Sequence, residues 1–346
     1  MSKELYFRGL KVIRRTMAIS FGCLVLMLLM TNCVSIAVNT TSETAPQTSS
    51  KKASVRVFSW NVSADAFVRD PETFRAFVKK SQANILLFDE VAPFTNTDQI
   101  LSAIKGTALN HSDDWYINFG QSGGRQRDVI VSRFPQESLP EFSRIVPYPE
   151  FEKDQLCKRM IEADKLKYVK SLEDGIPVNG VIITDGNDKL LVVSIDLECC
   201  GNDPDSWEED KRRIETREIR RLIKQVLNRT HVDGIIVAGD FNLVSTGIPL
   251  VNISGPYEPP HAGLIAAELY HQDGLTMWTW DGRGTPFPSR AMDFVFYSPN
   301  SMKLKSGYIL NTEDFSPSEL EQMGVQQESS SKMSEHLPVI AEFVWQ

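Results

Sequence analysis

From Val55 onward, short apolar runs rich in Val and Ile recur along the chain: VRVFSW, NILLF, DVIVS, GVIIT, LLVVSI and GIIVAG, each bounded by Asp, Asn, Gly or Pro. Runs of this length and composition predict strands. Between several of them the apolar spacing turns helical. The longest predicted helix covers residues 205–228, where Ile214, Ile219, Leu222, Ile223, Val226 and Leu227 supply an apolar face and Glu, Lys and Arg fill the other. Strands alternating with helices imply an α/β architecture with helices laid over sheet faces. No internal repeat is visible.

Upstream, the pattern is different. Lys3, Arg8, Lys11, Arg14 and Arg15 face the single acid Glu4, and an uncharged run then covers residues 17–38. A basic start and an apolar centre predict a targeting segment, either a signal peptide or a membrane span of about 20 residues. Both readings export the remainder of the chain, since positive residues ahead of the span keep the N-terminus inside. LMTNC, ending at Cys33, resembles a bacterial lipoprotein cleavage site, although Asn32 is a poor fit for the small residue wanted before the Cys. Residues 39–54, NTTSETAPQTSSKKAS, have almost no apolar content and predict a flexible tether. The expected organisation is therefore a signal peptide or membrane anchor over 1–38, a Ser/Thr-rich linker over 39–54, and one folded domain over 55–346.

Composition agrees with a globular domain: 42% of the 346 residues are hydrophobic and 9% aromatic. The formal net charge of -8 speaks against nucleic-acid binding through a broad basic surface. A bound metal can still reverse the field of a local site. Outside the leader, the cysteines are Cys157 and the adjacent Cys199 and Cys200. Neighbouring cysteines without a second pair do not make a zinc tetrahedron. A bridge from Cys157 to one of the pair, or plain buried thiols, are the readings left.

Polar residues at the strand ends change the picture most. Asn61 follows VRVFSW, Asp89 and Glu90 follow NILLF, Asp196 follows LLVVSI, Asp240 and Asn242 follow GIIVAG, and Asp293 opens DFVFY. Asp and Asn favour turns, which accounts for any one of them. Five strand ends together with His336 near the C-terminus point to a site, because α/β proteins build sites where strands end.

In order, VFSWNVS, ILLFDEV, RDVIVSRFP, VVSIDL, VAGDFN, AMDFVFYS and SEHLPV resemble the successive motifs of the endonuclease/exonuclease/phosphatase family, which includes deoxyribonuclease I, abasic-site endonucleases, neutral sphingomyelinases and inositol polyphosphate phosphatases. The match spans roughly residues 55–344, and order and spacing carry it rather than any single motif. The resemblance implies a four-layer sandwich, two mixed sheets face to face with helices outside, and a site at one edge of the sheets. It implies a metal-dependent phosphoric ester hydrolase using magnesium or manganese, one ion or two. Glu90 matches the metal ligand, with Asn61 on the same metal or its shell and Asp293 supporting the metal or phosphate region. His336 matches the general base, Asp240 the residue that aligns the attacking water, and Asn242 a donor to a phosphoryl oxygen.

The chemistry asks for these groups. Hydrolysis of a charged phosphoester needs cations on the phosphoryl oxygens, hard oxygen ligands for magnesium, and a base for the water. Two positions depart from the family pattern. Glu335 stands where an aspartate partners the histidine and is expected to orient His336. Asp196 stands where the family commonly has His. It could ligate a second metal, be held protonated by neighbouring carboxylates, or mark a site that binds without turnover.

Arg125 and Arg127 in SGGRQRD are candidates for a phosphate clamp, with a solvated turn as the alternative. Met277, Trp278 and Trp280 are candidates for stacking on a base, lipid or inositol, with core packing as the alternative. His261 and His271 lack ligand-like spacing. The expected substrate is a small phosphoester or lipid headgroup, with nucleic acid as the alternative, acted on outside the cytoplasm by a monomer whose N-terminal segment meets the membrane.

Overall fold

The computed structural model of the protein describes residues 54–108 and 114–346. The expected leader, and the linker up to residue 53, lie outside the described residues. No helix among the described residues is long and apolar enough to cross a membrane.

The strands are β1 (Val55–Ala64), β2 (Ile85–Val91), β3 (Tyr116–Phe119), β4 (Val129–Ser132), β5 (Gln136–Ser138), β6 (Val178–Asp185), β7 (Asp188–Asp196), β8 (Gly234–Asp240), β9 (Ile265–Ala266), β10 (Asp293–Tyr297), β11 (Met302–Ile309) and β12 (Val339–Trp345). They form two six-stranded sheets, in the orders β11-β12-β1-β2-β4-β3 and β5-β6-β7-β8-β10-β9. Both are mixed. β1 runs parallel to β2 and β7 parallel to β8, while β1 with β12 and β8 with β10 are antiparallel.

Side chains alternate across a strand, so each strand feeds two apolar layers. Val55 and Val57 of β1, Ile85 and Leu87 of β2, Leu190 and Val192 of β7, and Ile236 and Ala238 of β8 meet in one cluster between the sheets. On the outer face of the first sheet, Phe58, Trp60 and Phe88 pack against Phe74, Phe77 and Val78 of the helix Pro71–Ser81 and Ile100 of the helix Thr97–Ile104. On the outer face of the second, Leu191, Val193, Ile235 and Val237 pack against Ile219, Ile223 and Val226 of the helix Trp207–Arg229, and against Leu156 and Met160 of the helix Glu150–Glu162. The result is the expected four-layer α/β sandwich. It explains why the strands are apolar on both faces.

Local chemistry sets the helix starts. Ser206 caps Trp207–Arg229 by accepting from the Glu209 N–H at 3.2 Å, so the predicted helix begins two residues later than its spacing indicated. Asp70 caps Pro71–Ser81, whose first residue is a proline that has no N–H to lose.

Candidate active site

The inward rows of the strands end in polar groups. After Val57 and Ser59 on β1 the next inward position is Asn61, after Ile85 and Leu87 it is Asp89, after Val192 and Ser194 it is Asp196, and after Ile236 and Ala238 it is Asp240. Strand register then aligns these ends. Asn61 is opposite Asp89, Asp196 is opposite Asp240, and Asp240 is opposite Asp293, which opens β10 from the other direction. One edge of the inter-sheet layer thus collects the carboxylates that the sequence scatters over more than 200 positions.

Glu90 breaks the alternation. Its φ of 54° lies in the left-handed region, an unfavourable conformation for a side-chain-bearing residue, and Asn242 has a φ of 46°. The turn at Glu90 places its carboxylate on the cleft beside Asp240. Asn61 joins them: its Nδ2 group donates to Glu90 Oε1 at 3.2 Å and to Asp240 Oδ2 at 3.3 Å.

His336 sits between two acids. Its Nδ1 is 2.9 Å from Asp293 Oδ2 and its Nε2 is 3.5 Å from Asp240 Oδ2. Burial alone would lower the imidazole pKa, but the Asp293 and Asp240 carboxylates overcome it and hold the ring up to about 10. Burial, with Asp293 adding to it and His336 opposing it, raises Asp240 to about 7. The backbone around His336 is fixed from both sides. Trp60 Nε1 donates to the His336 carbonyl at 2.8 Å, and Ser334 Oγ accepts from the His336 N–H at 3.1 Å while donating to the Asn61 carbonyl at 2.8 Å.

A cleft of about 530 Å³ opens over this group, lined by Glu90, Asp240, Asn242 and His336 on its floor and by Cys199, Cys200, Trp280, Phe287, Arg290 and Met292 around it. Arg290 is the only arginine or lysine among the described residues that line it. Its Nη1 donates to the Val244 carbonyl at 2.9 Å.

Several expectations need correction. Glu335 does not orient His336. Glu335 also lines the cleft but accepts from Trp280 Nε1 at 3.4 Å, and Asp293 takes the imidazole instead. Asp293, expected to support the metal or phosphate region, gives one oxygen to His336 and keeps the other buried without a partner, within a group of side chains that could hold an ion. Arg127 points away from the cleft, donating to the Ala92 and Thr95 carbonyls at 2.7 and 3.0 Å with its guanidinium over the Phe119 ring. Arg125 is exposed and does not line the cleft, so neither arginine forms a phosphate clamp there.

Asp196 is buried beneath the cleft floor rather than facing a ligand. Burial first, then Glu90 and Asp240, push its pKa well above the ordinary carboxylate value. It lies 3.5 Å from Asn242 Nδ2, which also donates to the Leu197 carbonyl at 2.8 Å. Asn242 therefore spends its amide donors on the floor instead of projecting them toward a phosphoryl oxygen. Trp280 does line the cleft, whereas Trp278 packs at the edge of the inter-sheet core. His271 is structural, held between Asp314 and the Trp278 carbonyl.

Arg290, Phe287 and Met292 were not singled out from the sequence. Arg290 had one signal: it stands three positions before Asp293 on the segment leading into β10. Asp128, also missed, accepts from Ser194 Oγ at 2.9 Å across the two sheets.

The donor set suits a hard divalent cation. Glu90 and Asp240 offer oxygens at the cleft, while Asn61, expected on the same metal, turns its Nδ2 donors to both carboxylates and its Oδ1 to the Ser63 N–H at 3.0 Å. Asp240, Asp293 and His336 also bring one ligand-capable atom each within 4.8 Å of one another, although the imidazole between two carboxylates is equally a hydrogen-bonded relay.

A model of the Endonuclease/Exonuclease/phosphatase family matches residues 58–331. Among solved structures, the human Nocturnin catalytic domain with bound sulfate anion is 16% identical with a TM-score of 0.50, covering 85% of this chain and 96% of that one. An endonuclease/exonuclease/phosphatase from Bacteroides vulgatus is 14% identical with a TM-score of 0.52, covering 85% of this chain and all of its own. TDP2 from C. elegans is 16% identical with a TM-score of 0.51, covering 85% of this chain and 76% of that one. These likenesses concern the fold. No curated protein matches by sequence.

Proposed function

Because the chain belongs to the Endonuclease/Exonuclease/phosphatase family, a group of metal-dependent phosphodiesterases, nucleases and phosphatases, we propose that it hydrolyses a phosphoester at the cleft over His336, with Glu90 as metal ligand. The observation that carries the reading is the His336 imidazole held between Asp293 and Asp240, with Asn61 bridging Asp240 to Glu90. A divalent cation bound at Glu90 would supply Lewis-acid polarisation of a phosphoryl oxygen and neutralise part of the carboxylate charge.

The chain's own groups do the rest. Asp293 fixes the imidazole through Nδ1, so Nε2 faces Asp240 and the cleft and, in the neutral ring, can take a proton from an attacking water. Asp240 lies within reach of that same proton and orients the water. Asn61 holds the Glu90 and Asp240 carboxylates in one arrangement before substrate arrives. Asp196 acts as a buried support for Asn242 and the cleft floor, and burial with the neighbouring carboxylates raises its pKa, which favours its protonated form.

Substrate class is argued from the walls. Phe287, Pro286, Trp280 and Met292 offer apolar and aromatic surface, with Arg290 the single cationic side chain of Arg or Lys type. A small phosphoester or lipid headgroup carrying an apolar group suits this lining better than a polyanion, which wants several Lys and Arg contacts. Action outside the cytoplasm rests on the basic-apolar leader alone.

The test is turnover of bis(p-nitrophenyl) phosphate, p-nitrophenyl phosphate, sphingomyelin and plasmid DNA, with magnesium, manganese or chelator. Metal-dependent turnover that vanishes in Glu90→Ala and His336→Ala supports the reading. Binding of these compounds without turnover would move the protein to the non-catalytic class, and cleavage of plasmid alone would assign it to the nucleases.

A further inference from the structure

Cys199 and Cys200 have no part in that chemistry, yet both line the cleft. Both are free and exposed, with their Sγ atoms 2.9 Å apart. Successive side chains of an extended chain point in opposite directions, so two adjacent sulfurs meeting on one side is a property of this turn. Cys200 has a φ of 67° and Gly201 a φ of 64°, which folds the chain back just after β7.

The turn is clamped from below. The buried Arg212 guanidinium donates to the Glu198 and Cys200 carbonyls, each at 2.7 Å, and to the Gly201 carbonyl at 3.0 Å, while Glu209 pairs with it at 3.0 Å. A fork with five donors in one plane fixes three successive parts of the loop at once. A β-carbon on Gly201 would come within 2.6 Å of the Glu208 side chain, so the bend leaves no room to relax.

We propose that Cys199 and Cys200 form a dithiol site on the wall of the cleft that takes a small disulfide oxidant of the glutathione class and closes to a Cys199–Cys200 disulfide. The Cys200 thiolate attacks one sulfur of the oxidant, whose S–S bond breaks and releases one thiol. Cys199, whose pKa the hydrogen bond to Cys200 raises until Cys200 is consumed, then attacks the Cys200 sulfur of the mixed disulfide, passing its proton to the departing thiolate, which leaves as the second thiol. The protein loses two protons and two electrons, and the oxidant takes both and leaves as two thiols. Cys200 is the attacking partner, since the hydrogen bond from Cys199 lowers its pKa to about 7. The resulting bond is readily reversed: adjacent Cα atoms lie about 3.8 Å apart, below the roughly 4.4–6.8 Å of ordinary disulfides, and departures from that range make a disulfide easier to reduce. Cys157, half-buried on the helix Glu150–Glu162 where it packs against the core, serves as the internal reference.

Full-length protein equilibrated across a series of reduced-to-oxidised glutathione ratios, quenched in acid, alkylated and digested, is read by mass spectrometry. The peptide carrying residues 199 and 200 is expected to lose two hydrogens and refuse the alkylating label in mixtures where Cys157 still takes it. Reduction restores both labels. Phenylarsine oxide, which bridges neighbouring thiolates, should protect both cysteines in the parent and neither remaining cysteine in Cys199→Ser or Cys200→Ser. Full labelling of the pair in every mixture, stable glutathione adducts on the parent pair, or a cross-linked peptide joining Cys157 to either would overturn the proposal.

Discussion

At the residue scale, the site turns on which acid holds His336. The sequence places Glu335 beside it, but the Glu335 carboxylate accepts from Trp280 Nε1, and Asp293, 43 positions away, makes the 2.9 Å contact. Strand-end placement made Asn61, Glu90, Asp240 and Asp293 legible as a group; pairwise roles depended on register, which no single motif encodes. Asp293→Asn should leave the fold intact and lower kcat about 10²- to 10⁴-fold, as loss of an imidazole's orienting acid does in other hydrolases. A kinetic comparison across pH checks this, with unchanged kcat excluding Asp293 as the partner. The ring pKa offers a second test. Held up to about 10 by Asp293 and Asp240, His336 is protonated at neutral pH in the metal-free protein. Magnesium should lower that pKa by offsetting the carboxylate charge, and histidine NMR titration with and without the ion measures it. No shift, or a rise, would remove the cation from the neighbourhood of the imidazole.

At the element scale, the strands read from short Val- and Ile-rich runs are all present, because such runs are what a strand buried on both faces requires. β11, MKLKSGYI, and β12, VIAEFVW, were less legible. β11 lies at the edge of its sheet, where lysines and serine alternate with apolar residues, and Glu342 interrupts β12. Glu342 is tolerated because Arg56 and Lys305 pair with it and Ser306 donates to it at 3.0 Å. Nor did the polar half of Trp207–Arg229 reveal that Arg212 turns inward; helical periodicity counts an arginine as solvent-facing. Its guanidinium ties the loop after β7 to the helix, so Arg212→Met strips donors from three carbonyls and leaves Glu209 with a weaker set of partners. The expected loss is about 3–5 kcal/mol, the range for breaking a buried pair. Arg212→Lys should recover only part, since an ammonium cannot fork. Urea unfolding measures both, and a loss below about 1 kcal/mol for Arg212→Met would show that the loop finds other partners.

At the scale of the whole molecule, two sheets pressed together by aliphatic rows end in an acidic edge that folding must bury. Asp89, Asp128, Asp196 and Asp240 are all buried, and burial is the leading cause raising each of their pKa values. Asp128 tests the cost of this arrangement cleanly, because it lies outside the cleft and its Oδ1 accepts from Ser194 Oγ on the opposite sheet. Its ordinary value of 3.8 rises to about 8 in the folded protein. Between those limits the folded state keeps a proton that the unfolded state has lost. Stability is therefore fully present below about pH 4, declines as pH rises, and is lost from this group once pH passes about 8. Asp128→Asn preserves the acceptor for Ser194 and cannot ionise, so it removes this slope. It should match the parent protein at pH 4 and exceed it at pH 9 by an amount on the order of a few kcal/mol. Equilibrium urea unfolding at both pH values, without divalent metal, provides the comparison. An equal difference at the two pH values would mean that Asp128 is ionised throughout and that some unrecognised positive charge at the sheet interface compensates it.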